Sequence, residues 1–107
     1  MSVINEYRTH DKMLIAVDCI IFGFDGNDLK LLLITRGFEP GFGKWSLMGG
    51  FVAANESAND GAKRILEKLT GLTKIYMEQL YCFADVGRDP GGRVVSIAYF
   101  ALIKIDD

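Results

Sequence analysis

The sequence predicts one α/β domain, and three observations carry the prediction. Residues 13–24 (MLIAVDCIIFGF) and 94–104 (VVSIAYFALIK) are long apolar runs rich in β-formers, the pattern of strands covered on both faces of a sheet. Residues 57–70 alone carry a clear helical repeat, with Ala58, Ala62, Ile65, Leu66 and Leu69 on one stripe. A chain of 107 residues is one domain or less, enough to bury over half of its unfolded surface.

Residues 1–12 (MSVINEYRTHDK) read as a polar arm without the apolar stretch of a signal peptide, and the domain occupies residues 13–107. Met13–Phe24 is a strand, Asp25-Gly26-Asn27-Asp28 a turn, and Leu29–Thr35 the returning strand of a hairpin. A glycine-rich loop, RGFEPGFGKW, leads into a short strand over Ser46–Val52. The helix Ser57–Thr70 follows. Asn55 or Ser57 can cap its start, and Gly71 stands where a left-handed residue ends a helix. Gly61 inside it costs roughly 1 kcal/mol against Ala, so packing must hold the helix. Strands over Tyr76–Ala84 and Val94–Lys104 enclose the turn-rich loop Asp85–Arg93. The last strand runs directly into Asp106-Asp107, where a layered domain normally adds a closing helix. The expectation is the front part of something longer.

The formal net charge is −2, with 12 basic residues scattered among 14 acidic ones. That leaves no basic face for nucleic acid, so any DNA partner must be bound by other residues. The apolar runs fall short of the ~20 residues that span a bilayer, so no membrane partner and a cytoplasmic location are expected. Cys19 and Cys82 lie in apolar runs without metal-ligand spacing, and both are expected to be small buried hydrophobes.

The run Gly49-Gly50-Phe51-Val52 … Glu56 … Arg64-Ile65-Leu66-Glu67-Lys68-Leu69-Thr70-Gly71-Leu72 resembles the Nudix box. That family's pattern is a Gly, five residues, a Glu, seven residues, then Arg-Glu-apolar-x-Glu-Glu-x-Gly-apolar. Gly50, Glu56, Arg64, Leu66, Gly71 and Leu72 fall on it without a gap, and Trp45-Ser-Leu-Met-Gly-Gly is also family-like, with Met48 at a usual proline position. The run GRDPGGRVVSIAYFAL resembles the branch that holds ADP-ribose pyrophosphatases and Nudix-related transcriptional regulators. The resemblance implies a Nudix-type α-β-α sandwich with a mixed sheet, cut short at its C-terminal end.

The departures concern chemistry. In the family, glutamates at i, i+3 and i+4 after the Arg hold Mg²⁺ against a pyrophosphate; here those positions are Ile65, Lys68 and Leu69. An ammonium group in place of a carboxylate repels the ion that phosphate chemistry requires. Glu67 points about 100° away from position 68, and Glu56 alone cannot make a multi-carboxylate site. No residue is therefore assigned as catalytic or as a metal ligand. Arg64 either contacts a phosphate or pairs with Glu56, and the pair is favoured. Asp18, alone in an apolar strand, is either a sheet-end residue or a polar group lining a pocket. His10 in the arm is expected to be solvated.

The topology implied by the resemblance brings three loops to one mouth, which makes Arg36, Trp45, Phe51, Asp85 and Arg88 the candidate ligand-binding set, with Asp89 beside them. The bland alternative is that Trp45 and Phe51 are core and that Arg88-Asp89 only shapes a turn. The resemblance further implies a non-catalytic effector-binding domain of a bacterial transcriptional regulator, a homodimer whose winged helix lies outside this chain. The effector is a sugar such as L-arabinose or an ADP-ribose-like molecule. With the metal face gone, the neutral sugar is the better match, and no cofactor is needed. The alternative is a divergent pyrophosphohydrolase acting on ADP-ribose or a related nucleoside diphosphate, which would use Mg²⁺. A module that only dimerises or docks is the third reading.

Overall fold

A computed structural model describes residues 3–35 and 43–105. The elements run α1 (Val3–Thr9), β1 (Leu14–Phe24), β2 (Leu29–Leu31), β3 (Ile34–Thr35), β4 (Trp45–Ser46), β5 (Met48–Phe51), α2 (Ala58–Thr70), β6 (Glu78–Phe83) and β7 (Val94–Lys104). The polar arm thus contains a short helix, α1, with its described side chains exposed.

The sheet is mixed. Its order is β2-β1-β7-β6, with β5 also on β1. Strands β1 and β7 pair in parallel from Leu14↔Val94 to Phe24↔Lys104, and the other pairs are antiparallel. The two apolar runs of the sequence are therefore its central strands. Alternate residues of β1 are fully buried, Val17, Cys19 and Ile21 among them, facing Ala62, Ile65 and Leu66 of α2. Each such burial contributes roughly 1.5–3 kcal/mol for a Val, Leu or Ile side chain. Met48, at the family's proline position, is also fully buried in this core.

Four expectations are corrected. Among the described residues, β1 is fully covered only on its α2 face; Ala16, Asp18, Ile20 and Phe22 on the other face are half-buried. The returning strand is not continuous. Because β5 takes Ala16–Cys19 on the same edge of β1, β2 has only Phe22–Phe24 left to pair with, and the chain turns away to form β3. The Ser46–Val52 strand divides for the same reason, Trp45–Ser46 pairing with β3 and Met48–Phe51 with β1. Cys82 is exposed rather than buried, because β6 is an edge strand exposed along its whole length.

Helix α2 begins and ends where the sequence puts it. Ser57 caps it, its side chain accepting from the Asp60 N–H at 3.0 Å, and Gly71 closes it at φ 77, a conformation glycine adopts without penalty. Gly61 is buried, and a Cβ there would lie 3.2 Å from Glu56 Oε1 and 3.4 Å from Val52 Cγ2. The absent side chain lets the helix close on the loop that carries Glu56.

Candidate functional site

The box residues form a closed structural unit. Arg64 Nε donates to both oxygens of Glu56 at 3.2 and 3.0 Å, and its Nη2 donates to Glu56 Oε1 at 2.7 Å and to the Phe51 carbonyl at 3.0 Å. The Ala53 N–H also donates to Glu56 Oε1, at 2.9 Å. These bonds hold the Glu56 carboxyl at a pKa of about 2 and raise that of Arg64. The charge-assisted, forked geometry pins the loop 52–57 onto the helix.

The family's metal can be tested against this geometry. Glu56 has its oxygens engaged by Arg64 and Ala53. Ile65 is buried, and a Cβ on Gly50 would come 2.9 Å from its Cδ1. Lys68 and Leu69 supply no oxygen. Among the described residues no three His, Cys, Asp or Glu side chains converge as a cation site. The residues present do not fit Mg²⁺.

A cleft survives beside this unit. It has a volume of about 400 Å³, and its polar lining is Asp18, Ser46, Arg88, Asp89 and Ser96, with Ala16, Gly49, Phe51 and Leu69 among the apolar wall. The register explains the grouping. Ala16 sits opposite both Ser96 and Phe51, and Asp18 opposite Gly49 and Ala98, so these residues share the face turned away from α2.

Arg88 reaches in from the loop before β7, its Nη2 donating to Ser96 Oγ at 2.7 Å and to the Val94 carbonyl at 3.2 Å. Asp89 does shape the turn, accepting from the Gly91 N–H at 2.7 Å, yet it also lines the cleft. Burial pushes the Asp18 carboxyl above the usual carboxylate range, and the Arg88 charge only partly offsets this. Burial and the Asp18 charge together push the Cys19 thiol up to about 11. It stays protonated, donating weakly to the Ala62 carbonyl at 3.7 Å.

Of the candidate ligand-binding set, Phe51 and Arg88 meet in the cleft. Trp45 is 72% exposed on β4 and is neither core nor part of the lining. The exposed Asp85 lies outside the lining too, and its carbonyl accepts from Arg93 Nη1 at 3.4 Å. Arg36 lies outside the described residues. Phe51 is 55% exposed, so it is not core either. Ser96 and Gly49 were not singled out by sequence reasoning. Their signal is the register between β1, β5 and β7, which depends on pairing across 30 to 80 residues of sequence.

The NUDIX domain model matches residues 12–106. The chain is 41% identical over 104 residues to the ADPR responsive transcriptional repressor NtrR of Acinetobacter baylyi, covering 92% of this chain and 41% of that protein. It is 34% identical over 96 residues to the ADP-ribose pyrophosphatase of Methanocaldococcus jannaschii, covering 90% of this chain and 54% of that protein. It thus spans about half the length of these curated relatives. Among solved structures, the NUDIX domain of Shewanella oneidensis NrtR complexed with ADP ribose matches at TM-score 0.82 and 30% identity, covering 99% of this chain and 73% of that one. S. oneidensis NrtR complexed with a 27mer DNA matches at TM-score 0.72 and 34% identity, covering 82% and 41%. No helix among the described residues is long and apolar enough to cross a membrane. With the family model spanning nearly every residue, and the box spacing intact on α2, this chain belongs to the Nudix family.

Proposed function

We propose that this chain is the effector-sensing domain of an ADP-ribose-responsive transcriptional regulator, holding its ligand in the Asp18–Arg88 cleft without cleaving it. One observation carries the reading. The helix on which the family builds its metal site has Glu56 tied to Arg64 and carries Ile65, Lys68 and Leu69 in place of carboxylates, while a cleft with converging polar groups remains open beside it. A sensor must retain its ligand, and these replacements remove the means of consuming it.

The Acinetobacter relative is an ADPR-responsive transcriptional repressor by name, and the NUDIX domain of S. oneidensis NrtR was solved with ADP ribose. This moves the preferred effector from a neutral sugar to ADP-ribose; L-arabinose remains the ligand to test against it. Among the described residues, Arg88 is the cation that lines the cleft and is available to its pyrophosphate. DNA binding, by a segment outside this chain and in a homodimer, belongs to the same proposal. The effector regulates only if it binds the DNA-competent and DNA-incompetent states with different affinity. The 34% identity to an ADP-ribose pyrophosphatase favours a second reading, Mg²⁺-dependent hydrolysis.

The test is a thermal-shift titration of the full-length protein with ADP-ribose and with L-arabinose, each with and without Mg²⁺. A ligand at 100 times its Kd adds roughly 2.7 kcal/mol, a shift of a few degrees. The sensor reading expects that shift with ADP-ribose alone, the ligand being recovered intact. Mg²⁺-dependent AMP release that vanishes in Glu56→Gln would establish the hydrolase instead.

A further inference from the structure

Asp18 is an anomaly in its own strand. It lies in the middle of β1 between Val17 and Cys19, both fully buried. A carboxylate withdrawn from water is costly without hydrogen bonds, yet Asp18 accepts none among the described residues. Arg88, whose charge acts on it, makes no ion pair with it, the guanidinium being turned to Ser96 and the Val94 carbonyl.

The neighbouring strand makes room for this carboxylate. A Cβ on Gly49 would lie 2.5 Å from Asp18 Oδ1 and 2.9 Å from the Val17 carbonyl. Any other residue at 49 would push the carboxylate out of its place. The cleft therefore holds, side by side, two acceptor oxygens without donors among the described residues, two serine hydroxyls and the Phe51 ring.

We infer that Asp18 selects the ligand by accepting hydrogen bonds from the two hydroxyls of a vicinal diol on a pentose. The inference rests on the cleft being the effector site. A carboxylate has two oxygens and no donor, so two adjacent hydroxyls satisfy it where a phosphate cannot. Asp18 and Asp89 together repel an anion, which leaves the pyrophosphate of a nucleotide sugar to the Arg88 side of the cleft. The apolar face of a sugar ring packs on Phe51. The diol is shared by the ribose of ADP-ribose and by a free pentose such as L-arabinose, and a site built around an unsatisfied acceptor rejects analogues that lack the donor.

The experiment measures binding of ADP-ribose and L-arabinose to the full-length protein, each beside a deoxy analogue missing one hydroxyl of the pair. Wild type and Asp18→Asn are compared. Wild type should prefer the complete diol, and Asp18→Asn should weaken that ligand roughly 10-fold or more while weakening the deoxy analogue, which keeps one of the two hydroxyls, distinctly less. The variant must melt no lower than wild type without ligand, which separates lost recognition from lost folding. Equal binding of diol and deoxy ligands, with no effect of Asp18→Asn, overturns the inference and leaves the sensor reading standing. Binding of L-arabinose alone, with the Asp18 dependence, supports the inference and removes ADP-ribose as effector. If neither ligand binds wild type, both readings fall.

Discussion

The two faces of the sheet use the same strands for opposite ends. Toward α2, β1 presents Val17, Cys19 and Ile21 to Ala62, Ile65, Leu66 and Met48, all 4% exposed or less. Toward the other side it presents Ala16, Asp18, Ile20 and Phe22, and that face also carries the exposed Phe51, Tyr81, Phe83 and Leu102. The first face is close-packed, and it has absorbed Ile65, one of the three positions where the family keeps its metal-binding glutamates, while Lys68 and Leu69 stay exposed. The second keeps a half-buried charge, an arginine tied to a serine and a cleft. Apolar packing is concentrated on the α2 face, and polar groups are kept on the face that holds the cleft.

Truncating one leucine on each face breaks this comparison most sharply. Leu66 is 1% exposed, and Leu66→Ala should cost about 2–5 kcal/mol, read as a lower urea midpoint. Leu102 is 67% exposed, and Leu102→Ala should stay within about 0.5 kcal/mol. A Leu102→Ala loss close to that of Leu66→Ala, in the full-length protein, would mean that the second face is packed there and that the contrast between the faces belongs only to this chain.

Acid titration sharpens the contrast further. Glu56 and Asp25 are both held at about 2, Glu56 mainly by Arg64 and Asp25 mainly by the N–H groups of Asp28 and Asn27. Both are more acidic folded than unfolded. The stability they supply is complete above the ordinary carboxylate range and is lost as pH falls from about 4.5 toward about 2. Glu56→Gln should flatten that part of the urea-midpoint profile, and an unchanged slope would show that the Arg64 pair does not hold the loop. Asp18 has the opposite sign. Its folded pKa is raised, so protonation favours the fold and the charged form at neutral pH opposes it. The smallest expected effect follows: Asp18→Asn raises the melting temperature of the ligand-free protein slightly, as expected where a carboxylate is kept at a cost in stability for the proposed recognition. A clear drop would mean that the carboxylate is structural.

How much of this was legible in the sequence depends on the range of the interaction. The helix from Ser57 to Gly71 was fully readable, since its caps and its stripe are local. The Glu56–Arg64 pair followed from the box spacing. The long strands were visible as apolar runs, but their partners were not. Competition between β2 and β5 for one edge of β1 divided two predicted strands, and nothing within either segment encodes that. The cleft was half legible. Phe51 and Arg88 were picked from loops, and Asp18 stood out as a lone charge with its role left open. Ser96 and Gly49 become neighbours of Asp18 only through register, and Trp45, an attractive aromatic in sequence, lies outside the cleft lining.

The central claim is that this Nudix domain holds its ligand without cleaving it. Phosphorus NMR of ADP-ribose mixed with an equal amount of the full-length protein, before and after adding Mg²⁺, tests it most directly. The account predicts shifted or broadened pyrophosphate resonances that persist unchanged after the metal is added. Replacement of those resonances by the phosphomonoester signals of AMP and ribose phosphate would contradict it.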